Sequence, residues 1–415
     1  MKVALVHDYL NEFGGAERVL LALSEIWPDA PIYTAFYREG STAYERFKKK
    51  KIVTSWAQNV PFFASKLHSP LRFLAPLIWN SFSAKGGSSS GRDFSKFDVV
   101  ISSSSWYVTK GFGGSGRRPD LSRSKYRGQG LALAKPLEIC YCHTPPRYLY
   151  GYPTAHSQKH PLVKVYAAIV NHFMRVYDFE AAQRVDWFIA NSCEVQSRIK
   201  KFYRRDSTVI YPPVEVSSFQ RPETRDQVKK TGRGKLETGY FLVVSRLVGA
   251  KNVDLAVEVC SNLKLNLKVV GTGRERGKLE SMAGETVEFV GDVDDDKLVG
   301  LYQNCRALIF PASQEDFGIV PVEAMAAGKP VIALAEGGVL ESVIDWSVGG
   351  KGKSTGVYFD PATSGSLTLA INNFMDLEKK GYFDPAFIKK HAQKFSKERF
   401  KAEIKKFVES KVKKA

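Results

Sequence analysis

Apolar residues in this chain fall into short unbroken runs separated by segments of helical period. That is the pattern of strands buried on both faces of a parallel sheet. Runs at 3–7, 31–37, 97–104, 137–142 and 185–192 fill the first half, and runs at 240–245, 267–270, 287–291, 306–312 and 329–334 fill the second. Residues 16–27, 162–184, 193–202 and 323–328 read as helices between them. Strand alternating with helix predicts an α/β protein, and 415 residues make two such domains the default. Polar segments at 84–92 and 111–130, rich in Gly, Ser and Arg, read as flexible or solvated loops. The charged stretch 220–239 reads as an interdomain segment.

One stretch organises the candidate chemistry. Residues 315–323 follow the apolar run 306–312 and lead into a short helix, with Pro321 near its start and Gly328 at its end. Glu315 then lies on the loop leaving a strand, and Glu323 in the first turn of the next helix. In an open parallel sheet that is the carboxyl edge, where ligands bind. Backbone N–H groups at a helix start accept hydroxyl or phosphate oxygens. An ionised carboxylate offers only acceptors, which suits a sugar's hydroxyls. Taken by itself, Glu323 also reads as a plain counter-charge to the helix dipole. The run 329–334, followed by Gly337-Gly338 and a further helix, adds a second loop at the same edge.

Residues 315–323 resemble the Glu-x7-Glu signature of the retaining GT-B glycosyltransferases (glycosyltransferase family 4, glycosyl transferases group 1), and the likeness runs along nearly the whole chain. It implies two doubly wound Rossmann-like domains facing across a cleft. Residues 1–215 would hold the acceptor and 216–390 the nucleotide sugar, with the basic helix 391–415 returning to the first domain. Arg246 and Lys251 match the family's Arg-x4-Lys pair, implied to clasp the donor's diphosphate. Two fixed cations there neutralise the leaving group, so no metal cofactor is implied. Glu315 would hold sugar hydroxyls and Glu323 ribose hydroxyls, while Phe317, Gly318 and Ile319 would offer backbone N–H groups. The loop carrying Val293 and Asp295 resembles the base-binding loop of enzymes that use GDP-mannose. An acid cluster at 294–296 is also a plain helix-capping signal. Gly14 and Gly15, between the first strand and its helix, match the glycine loop that faces the diphosphate. The sequence around His143, Thr144, Pro145, Arg147 and Tyr148 resembles a motif of the O-antigen-type mannosyltransferase branch, which implies that His143 approaches the sugar's reacting face. Arg147 pairs with either a phosphate or a carboxylate. Residues 209–214 look like the family's hinge strand.

Charge and cysteine content narrow the setting. A formal net charge of +18 draws the chain to polyanions, whether nucleic acid, anionic lipid or phosphorylated small molecules. Five cysteines, an odd number, argue against a disulfide framework, and Cys140 and Cys142 read as buried thiols rather than a metal pair. No signal peptide or membrane-spanning run is read, which points to the cytoplasm, with contact at the inner face of the plasma membrane left open. Residues 60–79 mix large apolar side chains with Lys66, His68 and Arg72. They read either as core-packed helices or as a surface meeting anionic headgroups or a lipid-linked acceptor. At 396–414, Ser396 looks like an N-cap, Phe400, Ile404, Phe407 and Val408 form an apolar face, and the lysines read as solvated or membrane-facing. The expected partners are a nucleotide-sugar donor, a lipid-linked or glycan acceptor and an anionic membrane surface, not nucleic acid. The expected reaction moves mannose from GDP-mannose in cell-envelope glycan synthesis. The alternatives are a nucleotide-sugar epimerase of the same architecture and a basic nucleic-acid-binding protein, the latter leaving residues 315–323 unexplained.

Overall fold

The computed structural model describes residues 1–82, 94–112, 136–152, 161–220 and 239–413. The loop at 84–92, most of the segment 111–130 with Arg117, Arg118 and Arg123, and nearly all of the stretch 220–239 lie outside the described residues. The chain divides into two compact units, residues 1–213 with 400–415, and residues 214–399.

The first unit is built on seven parallel strands: β1 (Val3–His7), β2 (Ile32–Thr34), β3 (Ile52–Thr54), β4 (Val99–Ser104), β5 (Leu137–Cys142), β6 (Trp187–Ala190) and β7 (Ser207–Val209). Their order is β3-β2-β1-β4-β5-β6-β7. The central strands β1 and β4 are buried along their whole length, as helices on both faces of a parallel sheet require. The helix Gly15–Ile26 buries Val19, Leu20 and Leu23, and the helix Cys193–Tyr203 starts at Ser192, whose Oγ accepts from the Val195 N–H at 3.0 Å. The expected hinge strand 209–214 is met only at Val209, because β7 runs from Ser207 to Val209 and Pro212-Pro213 cannot donate to a ladder.

The last helix, Lys397–Val412, gives its apolar face to this same core. Phe400, Ile404 and Val408 are buried among β1, β4 and β5, with the Phe400 ring 5.8 Å from that of Tyr141. Ser396 Oγ accepts from the Arg399 N–H at 3.3 Å, the cap its sequence position implied.

The second unit has six parallel strands, β8 (Phe241–Val244), β9 (Leu267–Val270), β10 (Val287–Gly291), β11 (Ala307–Phe310), β12 (Val331–Leu334) and β13 (Gly356–Phe359), in the order β10-β9-β8-β11-β12-β13. Its boundaries differ from the expected 216 and 390. Val214 bridges to Ser396, its N–H donating to the Phe395 carbonyl and its carbonyl accepting from the Lys397 N–H, both at 3.0 Å. The outgoing and returning segments therefore pair within this unit, and the crossing moves to 399/400. The helix Pro385–Ala392 stays with it, as His391 Nε2 lies 2.7 Å from the Ser342 carbonyl.

Cys140, Cys142, Cys260 and Cys305 are buried free thiols, and Cys193 is an exposed one. Burial raises the Cys140 thiol to about 12, so it stays protonated. Among the described residues no helix is long and apolar enough to cross a membrane, and no group of His, Cys, Asp and Glu side chains could hold a metal.

Ile404, 1% exposed, tests whether the last helix is part of the first unit's core. Ile404→Ala should cost about 2–5 kcal/mol in urea denaturation through the cavity it leaves. A loss within 0.5 kcal/mol, the usual range for surface substitutions, would show the helix to be a detachable appendage.

Candidate functional site

Each sheet reverses its winding direction at one place, between β1 and β4 in the first unit and between β8 and β11 in the second. Loops leaving adjacent strands diverge there, so a crevice opens at the carboxyl edge. The expected site residues can be placed against these two points.

In the second unit the loop after β8 carries Arg246 and Lys251, and the loop after β11 carries Glu315. Four hydrogen bonds join the loops. Lys251 Nζ donates to Glu315 Oε1, with the side chains 20% and 17% exposed. Asn252 donates from Nδ2 to the Pro311 carbonyl at 3.0 Å and to Ser313 Oγ at 2.7 Å. The Ser313 N–H reaches the Ala250 carbonyl at 3.4 Å. Asn252 sits at φ 47°, in the left-handed region that Asn tolerates, and it starts the helix Val253–Asn262. It therefore acts as a clamp holding Lys251 beside Glu315.

Two glycine pairs set these loops from behind. A Cβ at Gly271 would lie 2.0 Å from the Ser245 carbonyl oxygen, and one at Gly273 would lie 2.2 Å from that of Leu247. The loop carrying Arg246 thus rests directly on the backbone of the turn Gly271-Thr272-Gly273, and the Arg246 side chain is exposed. After β12, Gly337 bridges to Glu315, and the Gly338 N–H donates to the Glu315 carbonyl at 2.9 Å. A Cβ at Gly338 would fall 2.4 Å from the Asp316 oxygen. Backbone contact from Gly337-Gly338 on one side and the Lys251 side chain on the other fix the position of Glu315.

Gly318, at φ 85°, caps the helix Ile319–Ala326 with no side-chain cap, so the N–H groups of its first turn find no acceptor within the helix. Phe317 is buried against Phe395, ring centroids 5.5 Å apart. Glu323 departs from the expected first turn. It is the fifth residue of the helix and stands in the second turn, 2% exposed, its Oε2 accepting from the buried Tyr302 hydroxyl at 2.9 Å. The dipole-compensating reading of Glu323 loses its basis there. Val293 and Asp295 follow β10, two strands away from β8 on the same edge, Val293 half-buried and Asp295 exposed. The cap of the next helix is Asp294, whose Oδ1 accepts from the Lys297 N–H at 2.8 Å.

In the first unit the loop after β5 begins with His143, which is 8% exposed. Its Nε2 lies 2.8 Å from Ser103 Oγ at the end of β4, and that hydroxyl lies 3.0 Å from His7 Nδ1 at the end of β1. His7 Nε2 in turn lies 3.2 Å from Glu17 Oε1. An ionised Glu17 only accepts, so His7 Nε2 carries the proton of that bond. With His7 neutral, Ser103 donates to His7 Nδ1 and accepts from His143 Nε2–H, which leaves His143 Nδ1 as an acceptor. Burial first, and the neighbouring His7 second, push the His143 imidazole down to about 3. Beside this chain, the buried Asp8 accepts from the Trp106 N–H at 2.5 Å and from the Thr109 hydroxyl, tying the β1 loop to the β4 loop. Burial raises its carboxyl above the ordinary range against those bonds.

Gly14 is extended at φ −121°, and its N–H donates to Glu17 Oε2 at 2.8 Å, so that donor is engaged within its own helix start. Gly15 is exposed at the first position of the helix. Arg147, half-buried, opens the short turn Arg147–Leu149. Sequence reasoning missed His7, Asp8, Glu17, Ser103, Asn252 and Tyr302. Only Glu17 carried a legible signal, a Glu three residues after the capping position.

Comparison with known proteins places this geometry. Residues 224–407 match the family model described as Glycosyl transferases group 1, as the signature at 315–323 implied. The chain is 34% identical over 110 residues to the uncharacterized glycosyltransferase MJ1178 of Methanocaldococcus jannaschii, covering 26% of this chain and 31% of that protein. It is 24% identical over 408 residues to the alpha-1,3/1,6-mannosyltransferase ALG2 of Candida glabrata, covering 86% of this chain and 80% of that one. The chain spans about a third to just over half of the length of the first three curated relatives it matches. Among solved structures, Anabaena Alr3699/HepE in complex with UDP and glucose superposes with a TM-score of 0.68 at 18% identity, covering 99% of this chain and 100% of that one. At that identity the likeness is one of fold, and the fold is GT-B.

The depressed His143 predicts a pH dependence. Its folded value lies below the unfolded 6.5, so the neutral ring favours folding fully above 6.5 and this contribution is lost as pH falls from 6.5 toward 3. The slope from this group approaches about 1.4 kcal/mol per pH unit. Urea titrations of wild type and His143→Asn between pH 7 and pH 4 should diverge, the variant losing stability more slowly. Parallel curves would contradict the buried neutral ring.

Proposed function

We propose, on the premise that residues 224–407 belong to the Glycosyl transferases group 1 family, that this protein is a retaining glycosyltransferase. It moves a hexose, mannose from GDP-mannose, onto a hydroxyl of a lipid-linked or growing saccharide in cell-envelope glycan synthesis, at the cytoplasmic side of the membrane. The observation that carries the reading is the Lys251–Glu315 pair, which joins the two loops flanking the winding reversal of the second sheet. Mannose as the sugar is supported by the mannosyltransferase names of several relatives.

In this reading Arg246 and Lys251 hold the donor diphosphate. Lys251 has three N–H donors, so one bond to Glu315 leaves two for phosphate oxygens, and the exposed Arg246 adds a forked contact. Glu315 takes sugar hydroxyls, and the uncapped first turn after Gly318 offers N–H groups to the same ligand. The Glu323–Tyr302 pair lies behind that turn, where its carboxylate serves the ribose once the hydroxyl bond is shared. As the glycosidic bond lengthens, charge develops on the departing diphosphate oxygen, and the two fixed cations stabilise it without a metal. That oxygen takes the acceptor's proton on the same face, so configuration is retained. The first unit takes the acceptor, and His143, uncharged in its buried chain, accepts a hydrogen bond from a hydroxyl.

A thermal-shift panel of GDP, UDP, ADP and their sugars tests the donor. A nucleotide at a hundred times its dissociation constant adds about 2.7 kcal/mol to folding, and for units of this size that raises the melting temperature by roughly 5–10 °C. GDP and GDP-mannose should give that shift and UDP-sugars none. The reverse order would overturn the guanine assignment, and no response to any nucleotide would overturn the donor site.

A further inference from the structure

Ser103, fully buried, stands opposite His7 in the β1–β4 register. Its hydroxyl lies between two imidazoles, 3.0 Å from His7 Nδ1 and 2.8 Å from His143 Nε2. A hydroxyl has one proton, so it donates to one ring and accepts from the other. Each neutral ring carries one N–H and one lone pair, on different nitrogens. Fixing a proton at any one point fixes all the others, and the chain has two settings. In the first, both rings are protonated at Nε2 and His143 Nδ1 keeps a lone pair. In the second, both are protonated at Nδ1 and His143 Nδ1 becomes a donor.

Ser103 is satisfied equally in both settings, so the choice falls to the far end of the chain. There His7 Nε2 lies 3.2 Å from Glu17 Oε1. An ionised carboxylate has no proton to give. The second setting would turn two lone pairs toward each other, where His7 is 2% and Glu17 14% exposed, and leave both acceptors unsatisfied. Glu17 is also held in place, because its Oε2 accepts from the Gly14 N–H at 2.8 Å. At the near end, burial keeps the His143 ring neutral down to about 3. Its tautomer, not its charge, then decides what it offers a neighbour.

We infer that Glu17 is a positioning residue: acting through His7 and Ser103, it decides which nitrogen of His143 carries the proton and so leaves a lone pair on Nδ1. The consequence for binding rests on the proposed acceptor role of His143. A group with a proton to give, such as a sugar hydroxyl, is favoured beside that nitrogen, and an unprotonated phosphate or carboxylate oxygen is disfavoured. The tautomer itself does not depend on that role.

Glutamine has the shape of glutamate with a nitrogen donor in place of one oxygen. In Glu17→Gln the Gly14 N–H still needs an acceptor, which keeps the amide oxygen on its side and turns the amide nitrogen to His7 Nε2. His7 must then accept there and donate from Nδ1 to Ser103. Ser103 in turn donates to His143 Nε2, and the His143 proton moves to Nδ1. One substitution at the far end reverses the whole chain.

The test is long-range proton–nitrogen NMR correlation of the ring nitrogens in the full chain labelled with 15N histidine, at neutral pH and without ligand. Signals of His143 are identified by their loss in His143→Asn. Wild type should show His143 protonated at Nε2, and Glu17→Gln, folded by its melting curve, should show it protonated at Nδ1. Glu17→Ala removes the acceptor without supplying a donor and should show a mixture of the two tautomers, which decides the matter even if the glutamine variant does not fold. In a Ser103→Ala background the Glu17→Gln change should leave His143 as it is in Ser103→Ala alone. A wild-type His143 protonated at Nδ1 would overturn the inference, as would a His143 that is the same in wild type and the folded Glu17 variants. So would a response to Glu17→Gln that survives Ser103→Ala, since the influence would then run by another route. No donor is added, so failure of the GDP-mannose assignment leaves these outcomes unchanged.

Discussion

The second sheet runs its strands outward in both directions from the β8–β11 pair, and that winding leaves two loops side by side with no helix between them. Everything proposed for the donor depends on those loops keeping a common geometry. Lys251 and Glu315 supply the attraction, and Asn252 supplies the fixed bonds that an ion pair near solvent lacks. The glycine pairs at 271/273 and 337/338 let neighbouring backbone press against both loops, so neither can drift. A charged pair in that frame is held before any ligand arrives, which is the condition for electrostatic stabilisation to cost little at the moment of reaction.

The first unit solves a similar problem with neutral groups. Its reversal between β1 and β4 brings three strand ends together, and Glu17, His7, Ser103 and His143 run across them as one hydrogen-bonded chain. Burial makes charge on His143 costly, so the ring works as a hydrogen-bonding group over the physiological range rather than as a proton store. Asp8 ties two of the same loops from the other side.

The strands of both sheets were legible because parallel strands buried on both faces leave unbroken apolar runs. β3 and β13 were not: Ile52–Thr54 is three residues long and follows a run of lysines, and Gly356–Phe359 follows the glycine- and lysine-rich 349–353, so composition concealed both. The same limit applied to the sites. Glu315 and Lys251 announced themselves through spacing along the chain, but their mutual bond joins residues 64 positions apart. Ser103 and His7 belong to strands whose pairing no local pattern states, and their chain exists only because the register sets His7 opposite Ser103. Glu323 shows the converse error. A shift in where the helix begins moved it from the expected first turn to a buried second one. The C-terminal helix was read correctly, because its apolar stripe demanded a core, whereas the boundary before it depended on the Val214–Ser396 bridge.

The central claim is that the Lys251–Glu315 junction is the donor site. Calorimetric titration of GDP-mannose into wild type, Lys251→Met, Glu315→Gln and the double variant tests it directly. Each single variant should weaken binding about ten-fold or more, and the double variant should lose less than the sum, because the two side chains act as one unit. Wild-type affinity in both single variants, with melting curves showing them folded, would contradict it.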